Sequence, residues 1–75
     1  MAKQIELDAR GLLCPLPVLK LRKKIMGLNT GDRLVLLSDD PASVVDVPHF
    51  SQEAGHKLIS HESDDAVQIF TLEKA

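Results

Sequence analysis

The sequence predicts an α+β fold: a β-α-β-α-β-β two-layer sandwich in which one sheet carries both helices on one face. Three observations predict it. Short alternating or unbroken apolar runs occur near the start, in the middle and twice near the end of the chain. Between them, apolar residues recur at three- and four-residue spacing, which is the helical period. A D-P dipeptide followed by another apolar stretch marks the start of a second helix. At 75 residues the chain allows one domain spanning positions 1–75.

The elements follow in order. "QIELD" places Ile5 and Leu7 on one face of a short strand, and "ARGLL" is a loop. From Pro15, Val18, Leu21, Ile25 and Leu28 form a helical stripe, with Lys20, Lys23 and Lys24 on the opposite side. "GLNTGD" stops that helix with glycines and turn formers. "RLVLLS" suits an interior strand. In "DDPAS", Asp40 is placed to cap a second helix and Pro41 to sit at its first position, where a missing N–H costs nothing. Pro48 disfavours helical geometry at Val47. The expectation is therefore a short helical piece, a break near Val47–Pro48, and a second piece to Ala54 ended by Gly55. "HKLISHE" and "AVQIFTLE" are strands joined by "SDDA" as a hairpin. The expected core is Leu7, Val18, Leu21, Ile25, Leu34, Leu36, Phe50, Leu58, Val67 and Ile69, with Phe70 also inside.

Charge and composition narrow the function classes. The net charge is −2, but it is unevenly distributed. Residues 1–31 hold six basic and two acidic side chains, +4; residues 32–75 hold three and nine, −6. No run approaches the roughly 18 apolar residues of a membrane span, and the N-terminus shows no apolar signal-peptide run. A single cysteine excludes an internal disulfide framework and favours a reducing compartment, so the cytoplasm is the expected location.

That cysteine lies in "GLLCPLPVLK", bracketed by Pro15 and Pro17. With Cys14 at the helix N-cap, the prolines occupy the first and third helical positions, where backbone N–H groups have no intrahelical partner. Their fixed φ would stiffen the chain that presents the sulfur. The helix dipole, with Arg10 if its loop folds back, would favour the thiolate and lower the thiol pKa below that of a free cysteine. The plain alternative is a small buried apolar residue, as free cysteines often are. A phosphate site is disfavoured because the prolines remove N–H groups that would bind it. Disulfide exchange lacks a resolving cysteine. Metal binding lacks ligand spacing, since one cysteine and His49, His56 and His61 are scattered; neither a metal nor another cofactor is expected. A thiol hydrolase would need a histidine base and a substrate cleft. A partly exposed thiol without such apparatus suits a group carrier.

"LDARGLLCPLPVLKLRK", followed by "GD", "SDDPAS", "DVPHF" and "GHKL", resembles the TusA/SirA-like family of small sulfur carriers. The resemblance runs from Leu7 to the last strand. It implies a mixed four-stranded sheet of order 1-2-4-3 with strand 4 antiparallel to the rest. It implies that Cys14, in the C-P-x-P motif, accepts sulfane sulfur as a persulfide. The implied donor is a cysteine desulfurase or rhodanese-like protein, and the implied acceptor a cysteine-bearing protein, in tRNA thiolation, cofactor maturation or sulfur oxidation. Such a protein is a sulfurtransferase-type carrier rather than a stand-alone enzyme. Pro15 and Pro17 become the rigid frame, and Asp40 and Asp46 the acidic positions of the downstream motifs. Leu13 and Leu16 stand where tRNA-thiolation members carry arginine and glutamate.

The remaining candidates have structural readings beside functional ones. Lys20, Lys23 and Lys24 form either a solvated face or a docking surface for an acidic partner. Direct nucleic-acid binding is opposed by overall acidity and by only two aromatic residues, Phe50 and Phe70. Asp40 and Asp46 read first as helix caps. Two function classes remain: a persulfide carrier working through Cys14, or a regulatory module that binds protein or RNA through its basic helix with Cys14 structural.

Overall fold

The computed structural model describes residues 2–75. Its elements are β1 (Gln4–Asp8), α1 (Leu16–Ile25), β2 (Arg33–Ser38), α2 (Ser43–Ala54), β3 (Lys57–Asp64) and β4 (Val67–Glu73). The sheet order is β1-β2-β4-β3. β1 and β2 are parallel, while β4 runs antiparallel to β2 and β3. This is the expected α+β sandwich with the 1-2-4-3 mixed sheet.

Apolar periodicity explains how the layers meet. Leu21 and Ile25, four residues apart on α1, and Val47 and Phe50 on α2 are buried with Leu7, Leu34, Leu36, Phe70 and Leu72 of the sheet. Both helices therefore cover one sheet face. Val18 and Leu58 pack partly buried against that core. α1 carries Arg22, Lys23 and Lys24 in its last turn, where cations complement the exposed carbonyls. α2 ends at Gly55, whose φ of 79° is the left-handed geometry that glycine supplies without strain.

Several expectations fail for identifiable reasons. α2 is continuous through Pro48 and begins at Ser43, after Pro41 and Ala42 have made a turn. Pro48 lies in the second turn, so the hydrogen bond it removes is the one to the Val44 carbonyl. Val44 is exposed, leaving that carbonyl within reach of water, and buried Val47 and Phe50 hold the helix to the sheet across the interruption. In β4 the phase is reversed: Val67 and Ile69 are only half-buried, and Phe70 and Leu72 enter the core. The pairings Leu36↔Phe70 and Leu34↔Leu72 fix that phase. The strand has apolar residues on both faces, and the bulkier set is buried. The β3–β4 loop is shorter than expected, only Asp65 and Ala66, with Asp65 at φ 58°, a conformation that aspartate tolerates in hairpin turns.

One turn ties both ends of the chain. The buried Asp32 carboxylate accepts the Lys3 N–H at 3.0 Å and the Asn29 N–H at 2.9 Å. Its backbone carbonyl accepts the Lys74 N–H at 2.7 Å, while the Gly31 N–H donates to the Lys74 carbonyl at 2.9 Å. These amide bonds, led by Lys3, hold the Asp32 carboxyl below its ordinary pKa. None of the described helices is long and apolar enough to cross a membrane.

Candidate functional site

Cys14 lies exposed just before α1. Pro15 occupies the helix cap, Leu16 the first position and Pro17 the second, so the cysteine sits one residue outside the expected cap. The Leu16 N–H donates to the Leu13 carbonyl at 2.8 Å, closing a turn around Cys14 and Pro15, and only then does the helix begin. Pro17 is buried and anchors the helix start against the core. The two prolines thus lie at the helix start, each one position earlier than expected.

The β2–α2 connection supplies the other half of the site. Asp40 is buried and does not cap α2, whose cap is Ala42. Its Oδ1 accepts the Ala42 N–H at 3.2 Å and its carbonyl accepts the Ser43 hydroxyl at 2.6 Å, which folds the D-P turn. Its Oδ2 reaches across the fold to accept the Cys14 N–H at 2.6 Å. Neighbouring Asp39 accepts the Gly11 N–H at 2.9 Å. Together the two acids pin the loop that carries the cysteine, a role for Asp39 that sequence reading missed. The cue was present: a pair of adjacent acids directly after a strand.

Asp46 is not a cap either. It lies in the first turn of the unbroken α2, and its Oδ2 accepts a hydrogen bond from Cys14 Sγ at 3.1 Å. This contact reverses the expected electrostatics. The Asp46 hydrogen bond, then desolvation and the charges of Asp46 and Asp40, push the Cys14 thiol above its ordinary pKa. Arg10 does not oppose them. Its guanidinium grips Asp8 at both carboxylate oxygens, at 2.9 and 3.0 Å, and this hydrogen bonding draws the Asp8 pKa down to about 2. The resting sulfur is therefore a thiol with its proton directed at a carboxylate.

Beside the sulfur, a cleft of about 250 Å³ runs between the helices. Pro15, Val18 and Arg22 form one wall, and Asp46, His49 and Glu53 the other, with Phe50 below. His49 Nε2 lies 3.0 Å from Glu53 Oε1, and the Arg22 guanidinium stands 5.3 Å above the Phe50 ring, in cation–π range. Exposed Leu13, Leu16 and Leu19 flank the cysteine along the chain, and Val44 and Val45 precede Asp46. Of these exposed apolar residues the sequence singled out Leu13 and Leu16 beside the cysteine, but not Val44 and Val45. Lys20, Lys23 and Lys24 lie elsewhere, lining a groove beside β1 that shares no lining residue with the cleft. Among the described residues no cluster of side chains suited to a metal is present.

Comparison with known proteins gives consistent results. The family model described as Sulfurtransferase TusA matches residues 5–74. The sulfur carrier protein TusA of Buchnera aphidicola subsp. Baizongia pistaciae is 38% identical over 68 residues, covering 91% of this chain and 86% of that protein. The crystal structure of a SirA-like protein from Desulfitobacterium hafniense superposes with a TM-score of 0.81 at 27% identity, covering 92% of this chain and 95% of the other.

Proposed function

The chain belongs to the TusA sulfurtransferase family, and from that premise we propose that it is a sulfur carrier that holds sulfane sulfur as a persulfide on Cys14. The observation that carries this reading is an exposed thiol hydrogen-bonded to Asp46 at 3.1 Å. Loading begins when Cys14 passes its proton to the Asp46 carboxylate. The thiolate then attacks the outer sulfur of a donor protein's persulfide. The donor's S–S bond breaks, its electron pair leaves on the donor's own cysteine sulfur, and Cys14 holds the persulfide. In delivery, an acceptor thiolate attacks the terminal sulfur, the Cys14 Sγ–S bond breaks, and Asp46 returns a proton to Sγ. No external oxidant or reductant is consumed.

The rest of the site supports these steps. Asp40 fixes the Cys14 backbone through its N–H, which leaves the side chain facing the cleft. Exposed Leu13 and Leu16, which flank Cys14 along the chain, give a partner protein apolar surface to seal against. The donor is a cysteine desulfurase or rhodanese-like protein and the acceptor a protein cysteine. The test is intact-protein mass spectrometry after incubation with a cysteine desulfurase and cysteine. The expected result is a gain of one sulfur atom, removed by reductant and absent from Cys14→Ser. Failure to load in the presence of a desulfurase that loads another carrier would overturn the proposal and favour the reading of a structural cysteine.

A further inference from the structure

We propose that the groove between α1 and the outer edge of β1 docks an extended acidic segment of a protein partner, added to the sheet as a strand whose every second side chain is an acid. The proposal does not depend on sulfur chemistry at Cys14. With a volume of about 570 Å³, this groove is larger than the cleft at the thiol. Its floor is apolar, formed by Ile5, Leu7 and Leu28, and its walls carry Lys3, Lys20, Lys23 and Lys24. Among the described residues none of these lysines forms an ion pair, since the salt bridges involve Arg10, Arg33 and His49. A run of ammonium groups without salt-bridge partners over an apolar floor favours a ligand that brings both carboxylates and aliphatic surface.

The backbone beside the groove determines the ligand's conformation. β1 is the end strand of the sheet. The Arg33 N–H donates to the Lys3 carbonyl at 2.8 Å and the Ala9 N–H to the Leu37 carbonyl at 2.8 Å. In a parallel ladder these ends set the phase: Lys3, Ile5, Leu7 and Ala9 bond toward β2, and the peptide groups of Gln4, Glu6 and Asp8 point outward. An extended segment can bond to that row, which is the strand-addition mode of peptide recognition. Lys20 Nζ already donates to the outward Asp8 carbonyl at 3.1 Å. It guards one end of the edge, as lysines do, and leaves Gln4 and Glu6 open.

Alternation in the added strand then gives specificity. Side chains on its helix side meet the lysines, whereas those on the other side meet Gln4, Glu6 and Asp8, two of which are acids. A fitting segment is therefore acidic at alternate positions, not throughout. RNA fits less well, because Phe50 and Phe70 are both buried and offer no stacking surface.

Two blocked heptapeptides of equal composition test this: Glu-Thr-Glu-Val-Glu-Thr-Glu, and Glu-Glu-Glu-Glu-Thr-Val-Thr. The readouts are amide chemical shifts, amide exchange and fluorescence anisotropy. We expect the alternating peptide to shift and protect the Gln4 and Glu6 amides and to leave Asp46 and His49 unmoved. It should bind about tenfold more tightly than the block peptide, weaken with added salt, and lose about tenfold in affinity in Lys20→Glu/Lys24→Glu. The milder Lys23→Ala/Lys24→Ala should lose less, and in both variants thermal unfolding and Cys14 alkylation should match wild type. Equal binding of the two peptides, binding at the Cys14 face, tighter binding of single-stranded oligouridine, or no binding at millimolar peptide would each overturn the proposal.

Discussion

At Cys14 two carboxylates act on different atoms of one residue: Asp40 accepts the backbone N–H and Asp46 accepts the hydrogen bond of the thiol. Replacing Asp46 with asparagine removes the charge that keeps the sulfur protonated. The pH profile of iodoacetamide alkylation should then move down, and alkylation at neutral pH should rise several-fold. If Asp46 also shuttles the proton, the same variant should transfer sulfur more slowly, so alkylation and transfer change in opposite directions. Asp40→Ala leaves the N–H groups of Cys14 and Ala42 without their acceptor and should cost about 1–3 kcal/mol in urea unfolding. The sequence singled out Cys14, Asp40 and Asp46, but it read the two acids as helix caps and expected the thiol pKa to be lowered, whereas it is raised. Helix-dipole reasoning uses only residues adjacent along the chain, whereas Asp46 reaches the sulfur from 32 positions away through the packing of α2 beside α1.

Among the elements, α1, α2 and all four strands could be read from apolar patterning together with turn signals. β4 was the exception in phase. "VQIFTLE" offers Val67 and Ile69 on one face and Phe70 and Leu72 on the other, and only pairing with Leu34 and Leu36 selects between them. The selected register makes a sharp prediction. Phe70→Ala should cost about 3–5 kcal/mol, as expected for a fully buried aromatic residue, whereas Ile69→Thr on the opposite face should cost roughly 1 kcal/mol or less. Equal losses in chemical denaturation would contradict the register. The break expected at Val47–Pro48 failed for a related reason. Local backbone preference at one proline was outweighed by burial of Val47 and Phe50 on either side of it.

For the molecule as a whole, pH sets opposite limits on stability. Desolvation, with Lys74 nearby, lowers the His56 pKa. The unfolded chain therefore binds that proton first as pH falls below the ordinary 6.5, and stability is lost as pH passes through the lowered folded value. Asp32 and Asp8 add a second loss. Unfolded, they protonate near 3.8; folded, both stay ionised further down, Asp8 to about 2. At the alkaline end Cys14 has the opposite sign. Its folded pKa is raised, so the unfolded chain ionises first above the ordinary 9.0 and stability falls as pH rises. The urea midpoint should therefore peak between these limits, with the lower acid limb flattened in Asp32→Asn and the alkaline limb flattened in Cys14→Ser.

The turn at Asn29–Asp32 binds Lys3 and Lys74 at once, so the order in which the strands are synthesised is not what holds the sheet together. Joining the two ends with a brief glycine–serine linker and opening the chain between Asp65 and Ala66, both exposed in the hairpin loop, gives a circular permutant that keeps every element and its neighbours. Such a permutant begins at β4 and carries Cys14 about a third of the way along its chain. It should fold to the same sheet order, judged by amide exchange in β2 and β4.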